Sequence, residues 1–101
     1  MPANVFAAEA NMQVVKAESE DFIIYVEGLE ETEFKYAIST KADATDAELD
    51  YINSVEDGEG NKVALIEKEK VSTGTNYIYI KNGEDVTVNA IDFSDDSQVF
   101  A

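Results

Sequence analysis

The sequence predicts an all-β domain, two antiparallel sheets of about seven strands facing each other across one core, with one short helix near residues 45–53. Three observations predict it. Short apolar runs recur along the chain, separated by turn-forming clusters such as Glu56-Asp57-Gly58-Glu59-Gly60-Asn61 and Asn82-Gly83-Glu84-Asp85. The stretch Thr75-Asn76-Tyr77-Ile78-Tyr79-Ile80-Lys81 favours a strand throughout and is apolar on both faces, Tyr77 and Tyr79 on one, Ile78 and Ile80 on the other. Such a strand belongs in the middle of a sheet with something packed on each side. Nor does the chain carry the helices that a parallel α/β fold requires.

Residues 1–10 form a separate N-terminal segment. Pro2-Ala3-Asn4-Val5-Phe6-Ala7-Ala8 is small and apolar, with no charge before Glu9. The spacing Val5-Phe6-Ala7 is similar to the end of a secretory leader of a Gram-positive bacterium, although a basic n-region and a full h-region are missing. The other reading is a simple flexible N-terminus.

The domain proper is expected over residues 11–93. Met12 and Val14 alternate with Gln13, Val15 and Ala17, which gives a first strand with one face better buried. Phe22-Ile23-Ile24-Tyr25-Val26 is a second two-sided strand, ended by Glu27-Gly28. Phe34-Lys35-Tyr36-Ala37-Ile38-Ser39 alternates cleanly, with Phe34, Tyr36 and Ile38 towards a core and Lys35, Ala37 and Ser39 outwards. Thr45-Asp46-Ala47-Glu48 has the spacing of a capping box, and Leu49 and Ile52 follow three apart on one helical face. The competing reading is a strand over residues 50–55. Val63-Ala64-Leu65-Ile66 then returns along residues 51–55, and Glu67-Lys68-Glu69-Lys70 alternates charge as an exposed strand edge does. The last strand is expected over residues 86–93, with a β-bulge between Ala90 and Ile91 accounting for a change of apolar phase. Residues 94–101 read as a C-terminal tail or linker.

With 101 residues the chain makes one domain with one core. Its 22 acidic residues face 7 lysines and no arginine, a formal charge of −15. A phosphate backbone is repelled by such a chain, and an anionic membrane surface equally so; nucleic acid is excluded as a partner class. No stretch is long enough to cross a bilayer as a helix, so membrane insertion is not expected. Cysteine, histidine and tryptophan are absent. That removes disulfides, thiolate chemistry, and the commonest general base and transition-metal ligand.

The segment Gly74-Thr75-Asn76-Tyr77-Ile78-Tyr79-Ile80 resembles the one with which fibronectin type III and bacterial immunoglobulin-like domains enter their sixth strand. Tyr77 stands where the corner tyrosine of those domains hydrogen-bonds back to the preceding loop. Phe34-Lys35-Tyr36 is similar to their third strand, and residues 86–93 to their last. The resemblance spans residues 11–93 and departs from the family twice. The buried tryptophan of the second strand is missing, with Phe22 or Tyr25 in its place, and no proline precedes Tyr77. It implies an immunoglobulin-like sandwich and, by itself, no function.

Four groups of residues invite a functional reading. Asp57, Glu59 and Asn61 place oxygen-bearing side chains at alternate positions, as the first half of a calcium loop does, yet Lys62 and Lys68 stand where an EF-hand needs glycine and glutamate. The competing reading is a hairpin turn, and calcium is the one cofactor considered. A site shared among Asp43, Asp46, Asp50, Asp95 and Asp96 depends on folding proximity. Lys16 and Asn89, on opposite terminal strands, have the residue types of a spontaneous Lys–Asn isopeptide bond, which requires a desolvated ammonium; solvent-facing residues are the simpler reading. Tyr25, Tyr36, Tyr51, Tyr77 and Tyr79 form either a sugar-stacking platform or part of the packing.

No catalytic constellation is present. The expectation is a monomeric, non-catalytic spacer or interaction module of a secreted or cell-surface protein, its partners being other domains of the parent protein, an extracellular protein or a glycan. The alternative is a carbohydrate- or calcium-binding accessory module of an extracellular enzyme. A third reading, a self-assembling subunit, comes from the apolar ends Val5-Phe6-Ala7 and Val99-Phe100-Ala101.

Overall fold

The computed structural model describes residues 10–100. Among them the chain forms β1 (Asn11–Lys16), β2 (Phe22–Glu27), β3 (Lys35–Ser39), β4 (Ile52–Asn53), β5 (Val55–Glu56), β6 (Lys62–Ile66), β7 (Thr75–Asn82), β8 (Asp85–Asp92) and β9 (Val99–Phe100). A five-stranded sheet runs β5-β6-β2-β1-β9 and a four-stranded sheet β4-β3-β7-β8. The all-β, two-sheet expectation therefore holds. The count rises from seven to nine because three of the strands are only two residues long.

Between the sheets, Val14, Phe22, Ile24, Ala64 and Ile66 meet Phe34, Tyr36, Ile78, Ile80, Ile91 and Phe93. The Phe22 and Phe93 rings lie 4.6 Å apart at 55°. Each large side chain here contributes on the order of 1.5–3 kcal/mol by leaving water, which makes this the main source of stability. The β7 strand lies centrally in its sheet, between β3 and β8, as its two apolar faces demand. Ile78 and Ile80 point into the inter-sheet core, while Tyr79 belongs to a second cluster on the opposite face with Ala37, Leu49, Tyr51, Tyr77, Val86 and Val88.

That second cluster corrects two expectations. Ala37, read as outward-facing, is buried because residues 40–51 fold over the outer face of its sheet. The pairing of β7 with β8 is also unbroken from Thr75–Asp92 to Asn82–Asp85, so no bulge is present. The phase change arises because Val86 and Val88 serve the outer cluster and Ile91 and Phe93 the inner one.

The expected helix near residues 45–53 is a single 3-10 turn, Asp46–Glu48. Glu48 does reach back: its Oε1 accepts the Thr45 N–H at 2.9 Å and the Thr45 hydroxyl at 3.2 Å. The turn stops there because Leu49 turns extended and is buried against the sheet, whereas Ile52, expected on the same face, is exposed. Beyond it the chain changes sheets at Ser54. β4 pairs with β3, β5 pairs with β6, and the switch is fastened by Ser54 N–H to the Phe34 carbonyl (2.8 Å) and Phe34 N–H to Ser54 Oγ (3.2 Å). Lys68–Lys70, expected as a strand edge, is a second 3-10 turn.

Two corrections concern the end of the chain. Residues 94–100 are not a loose tail: Asp95 accepts hydrogen bonds from Ser97 and Gln98, and Val99 and Phe100 pair with Val14 and Val15. That last pairing is parallel, so the sandwich is antiparallel everywhere except between β1 and β9.

Candidate functional site

The two sheets treat their outer faces differently. Alternation sends Val15 of β1, Ile23 of β2, Leu65 of β6 and Phe100 of β9 away from the core that their neighbours Val14, Phe22, Ile24, Ala64 and Ile66 fill. The register sets these four in one cross-strand row: Leu65 opposes Ile23, Ile23 opposes Val15, and Val15 opposes Phe100. Leu65 is 38% exposed and Phe100 57%. A second row, Val55, Val63, Tyr25 and Gln13, runs beside it. Neither row contains a charged residue, which sets this face apart on a chain of net charge −15. Val63 is only 2% exposed, Glu27 lies beyond Tyr25 on the same face and Asp57 stands against the Tyr25 hydroxyl, so the open apolar part of the face is the row of Leu65, Ile23, Val15 and Phe100.

A smaller feature opens between β3 and β6, a cleft of about 230 Å³ lined by Tyr36, Ile38, Ile52, Leu65, Glu67 and Lys70. It falls below the roughly 300–1,000 Å³ usual for ligand pockets. Across it Tyr36 donates from its hydroxyl to the Leu65 carbonyl at 3.0 Å, tying one sheet to the other. Burial pushes the Tyr36 hydroxyl above its ordinary pKa.

The acidic turn of Asp57, Glu59 and Asn61 is exposed and closes the β5–β6 hairpin on itself. Asp57 Oδ1 accepts the N–H groups of Glu59 and Asn61, both at 2.9 Å, and Asp57 Oδ2 accepts Asn61 Nδ2 at 3.1 Å. Gly60 supplies the positive φ of 88°. These bonds, led by the one from the Asn61 side chain, hold the Asp57 carboxyl below its ordinary pKa. The carboxylate is thus occupied by its own turn, with the Tyr25 hydroxyl as a further partner. Among the described residues no three acidic side chains converge on a metal position, Asp43, Asp46, Asp50, Asp95 and Asp96 included.

Lys16 and Asn89 are not brought together. Lys16 ends β1 and is exposed, while the Asn89 amide is engaged beyond the other end of that strand, with Ala10. Amide formation needs the amine buried beside its partner, and neither condition is met. The tyrosines do not form a platform either. Tyr36 and Tyr79 are buried on opposite faces of their sheet, and Tyr51 and Tyr77 are packed into the outer cluster.

The corner role expected of Tyr77 falls to two neighbours. Asn76, only 1% exposed, holds the preceding loop: its Nδ2 donates to the carbonyls of Ser72 (2.7 Å) and Gly74 (3.2 Å), and its Oδ1 accepts the Ser72 N–H (3.0 Å). Tyr79 anchors the covering segment by donating from its hydroxyl to the Lys41 carbonyl and accepting the Ala44 N–H at 3.0 Å. Two further asparagines do the same work as Asn76. Asn82 bonds the backbone of Glu30, Glu31 and Glu33, and Asn89 takes both backbone groups of Ala10, at 2.9 and 2.8 Å. Their signal in the sequence was an amide inside or at the end of an apolar strand, which a buried amide tolerates only with partners.

No protein-family model matches the chain, and no curated protein or solved structure matches it either.

Proposed function

We propose that this chain is a non-catalytic, immunoglobulin-like spacer and interaction module of a longer, exported Gram-positive polypeptide. The observation that carries it is the parallel placement of β9 beside β1. The chain enters at the Asn11 end of β1 and runs out beside Val15, about 13 Å further along the strand direction, so neighbouring modules attach at opposite ends. The strand order supports the immunoglobulin-like assignment. With the first eight strands lettered A, B, C, C′, D, E, F and G, the sheets read D-E-B-A and C′-C-F-G, and β9 is an addition. The non-catalytic part is supported by Glu48, Asp57 and Asp95, carboxylates bound in their own turns and held below their ordinary pKa. The apolar row of Leu65, Ile23, Val15 and Phe100 on the outer face of the five-stranded sheet is the interaction surface.

Force spectroscopy through the two ends tests the spacer role. A load applied there shears β1 against β9. Cooperative unfolding in one step is expected, with the force lowered by Val99→Pro, since proline brings no N–H to a ladder only two residues long; extension without a force peak overturns it. Titration with calcium and a glycan panel tests the accessory-module alternative, which heat or chemical-shift changes would favour. The exported setting rests on the leader-like spacing of Val5-Phe6-Ala7, and fractionation of the native cells checks it.

A further inference from the structure

Asn82 is the one asparagine of the chain that is followed by a glycine. An asparagine is chemically most labile in that setting, because glycine puts no side chain in the way when its backbone nitrogen turns back on the neighbouring amide. Asn82 ends β7, and Gly83 and Glu84 make the two-residue turn into β8, with Gly83 at a φ of 65°. The side chain is committed elsewhere, to the connection from β2 to β3. Its Nδ2 donates to the carbonyls of Glu31 (3.0 Å) and Glu33 (3.1 Å), and its Oδ1 accepts the N–H groups of Glu30 (3.1 Å) and Glu31 (3.2 Å). Both donors and both acceptor positions of the amide are thereby used. The Glu31 carboxylate also lies against Gly83, with Oε2 2.9 Å from where a Cβ would stand. A negative charge there opposes loss of the Gly83 amide proton.

We propose that Asn82 is a modification site under the control of the fold: the chain loses ammonia there once residues 30–33 release the amide, and the acid so formed keeps them from returning. The step is a cyclisation. Solvent base takes the Gly83 amide proton, the nitrogen forms a bond to Asn82 Cγ, and the Cγ–Nδ2 bond breaks as ammonia departs. Water then adds to one carbonyl or the other of the five-membered imide, leaving aspartate or, with one more carbon in the backbone, isoaspartate. One water enters and one ammonia leaves, so no oxidant, reductant or cofactor is required. Neither product replaces the amide. A carboxylate only accepts hydrogen bonds, so it would set an oxygen against the Glu31 and Glu33 carbonyls and a charge beside Glu30, Glu31 and Glu33. Isoaspartate also lengthens β7 by one backbone atom where the hairpin turns. Folded chains therefore keep the amide, and chains that have opened carry a mark that cannot be reversed.

Intact mass and peptide mapping of the full chain test this, in mildly alkaline buffer with and without unfolding guanidinium chloride. The unfolded chain is expected to convert at Asn82 ahead of its other asparagines. The folded chain should convert there at least about tenfold more slowly, because only its opened population reacts. Equal rates in the two states, or earlier conversion at another asparagine of the unfolded chain, overturn the proposal. A partly converted sample is then refolded by dilution, and the more acidic species is separated by anion exchange. That species is expected to melt several degrees below the unconverted one or to fail to refold; equal melting temperatures overturn the proposal. Asn82→Ala removes the same hydrogen bonds without adding a charge, so Asn82→Asp is expected to melt below it. The reverse order would show that the new carboxylate does not hold residues 30–33 away, and would overturn the proposal too.

Discussion

The outer faces of the two sheets are made from similar side chains and end up in different states. On the four-stranded sheet, Ala37, Tyr77, Tyr79, Val86 and Val88 are roofed by residues 40–51, which bring Ala44, Leu49 and Tyr51 down onto them. On the five-stranded sheet, no segment among the described residues roofs Val15, Ile23, Leu65 and Phe100 in that way. The difference is one of connection. The link from β3 to β4 is long enough to double back across its own sheet and has a hydroxyl, that of Tyr79, to hold it there. The links between paired strands of the five-stranded sheet, residues 17–21 from β1 to β2 and 57–61 from β5 to β6, are short by comparison. An apolar strand face is thus intramolecular core in one place and an available surface in the other.

The sharpest way to break this comparison is to truncate one residue from each face. Leu49→Ala is expected to cost about 2–3 kcal/mol in urea unfolding, because it leaves a cavity under the roof. Leu65→Ala should stay within about 0.5 kcal/mol. Equal costs would mean that the two faces are equivalent.

Tyr79→Phe comes next. It leaves the ring in place but strips the Lys41 carbonyl and the Ala44 N–H of their shared partner, for an expected loss of about 1–2 kcal/mol. Hydrogen exchange sharpens the result, since the Ala44 amide should lose protection while those of β1 and β2 keep it.

Acid loosens the same roof. The Lys41 ammonium at 2.7 Å, and after it the Thr45 N–H, hold the Glu48 carboxyl down from 4.5 to about 2. A lowered native pKa means that the stabilisation is complete above pH 4.5 and is lost as the pH falls towards 2. Amide shifts of residues 41–48 should move in that window and those around Ile23 and Leu65 should not. Glu48→Gln abolishes the dependence.

The smallest effect is expected at Tyr51. Its hydroxyl is buried with no hydrogen-bond partner among the described residues, so Tyr51→Phe should be neutral or stabilising by up to about 1 kcal/mol in the same unfolding assay.

Much of the architecture was legible from local pattern. The two-faced run around Ile78 and the turn at Asn82-Gly83 announce the β7–β8 hairpin, since alternation and positive-φ glycine are properties of neighbouring residues. The candidate surface was half legible. Val15, Ile23 and Leu65 each stood out as the second apolar phase of a strand, but their alignment in one row depends on register across three pairings. The residue type of Asn89 points to amide chemistry, whereas its bonds to Ala10 cross 79 residues of chain. Tyr77 was chosen over Tyr79 and Asn76 because spacing alone does not tell which polar tip reaches a loop.

What the sequence determined by itself is the all-β class, the central place of β7 and the strong excess of negative charge. Each follows from periodicity or charge, quantities summed over local residues. Only the tertiary structure decided which apolar faces are covered, that Val99 and Phe100 close a sheet beside β1, and that Ser54 carries the chain from one sheet to the other. Those outcomes are set by contacts between residues far apart in the chain, where two faces of equal hydrophobicity compete for the same partner and geometry chooses.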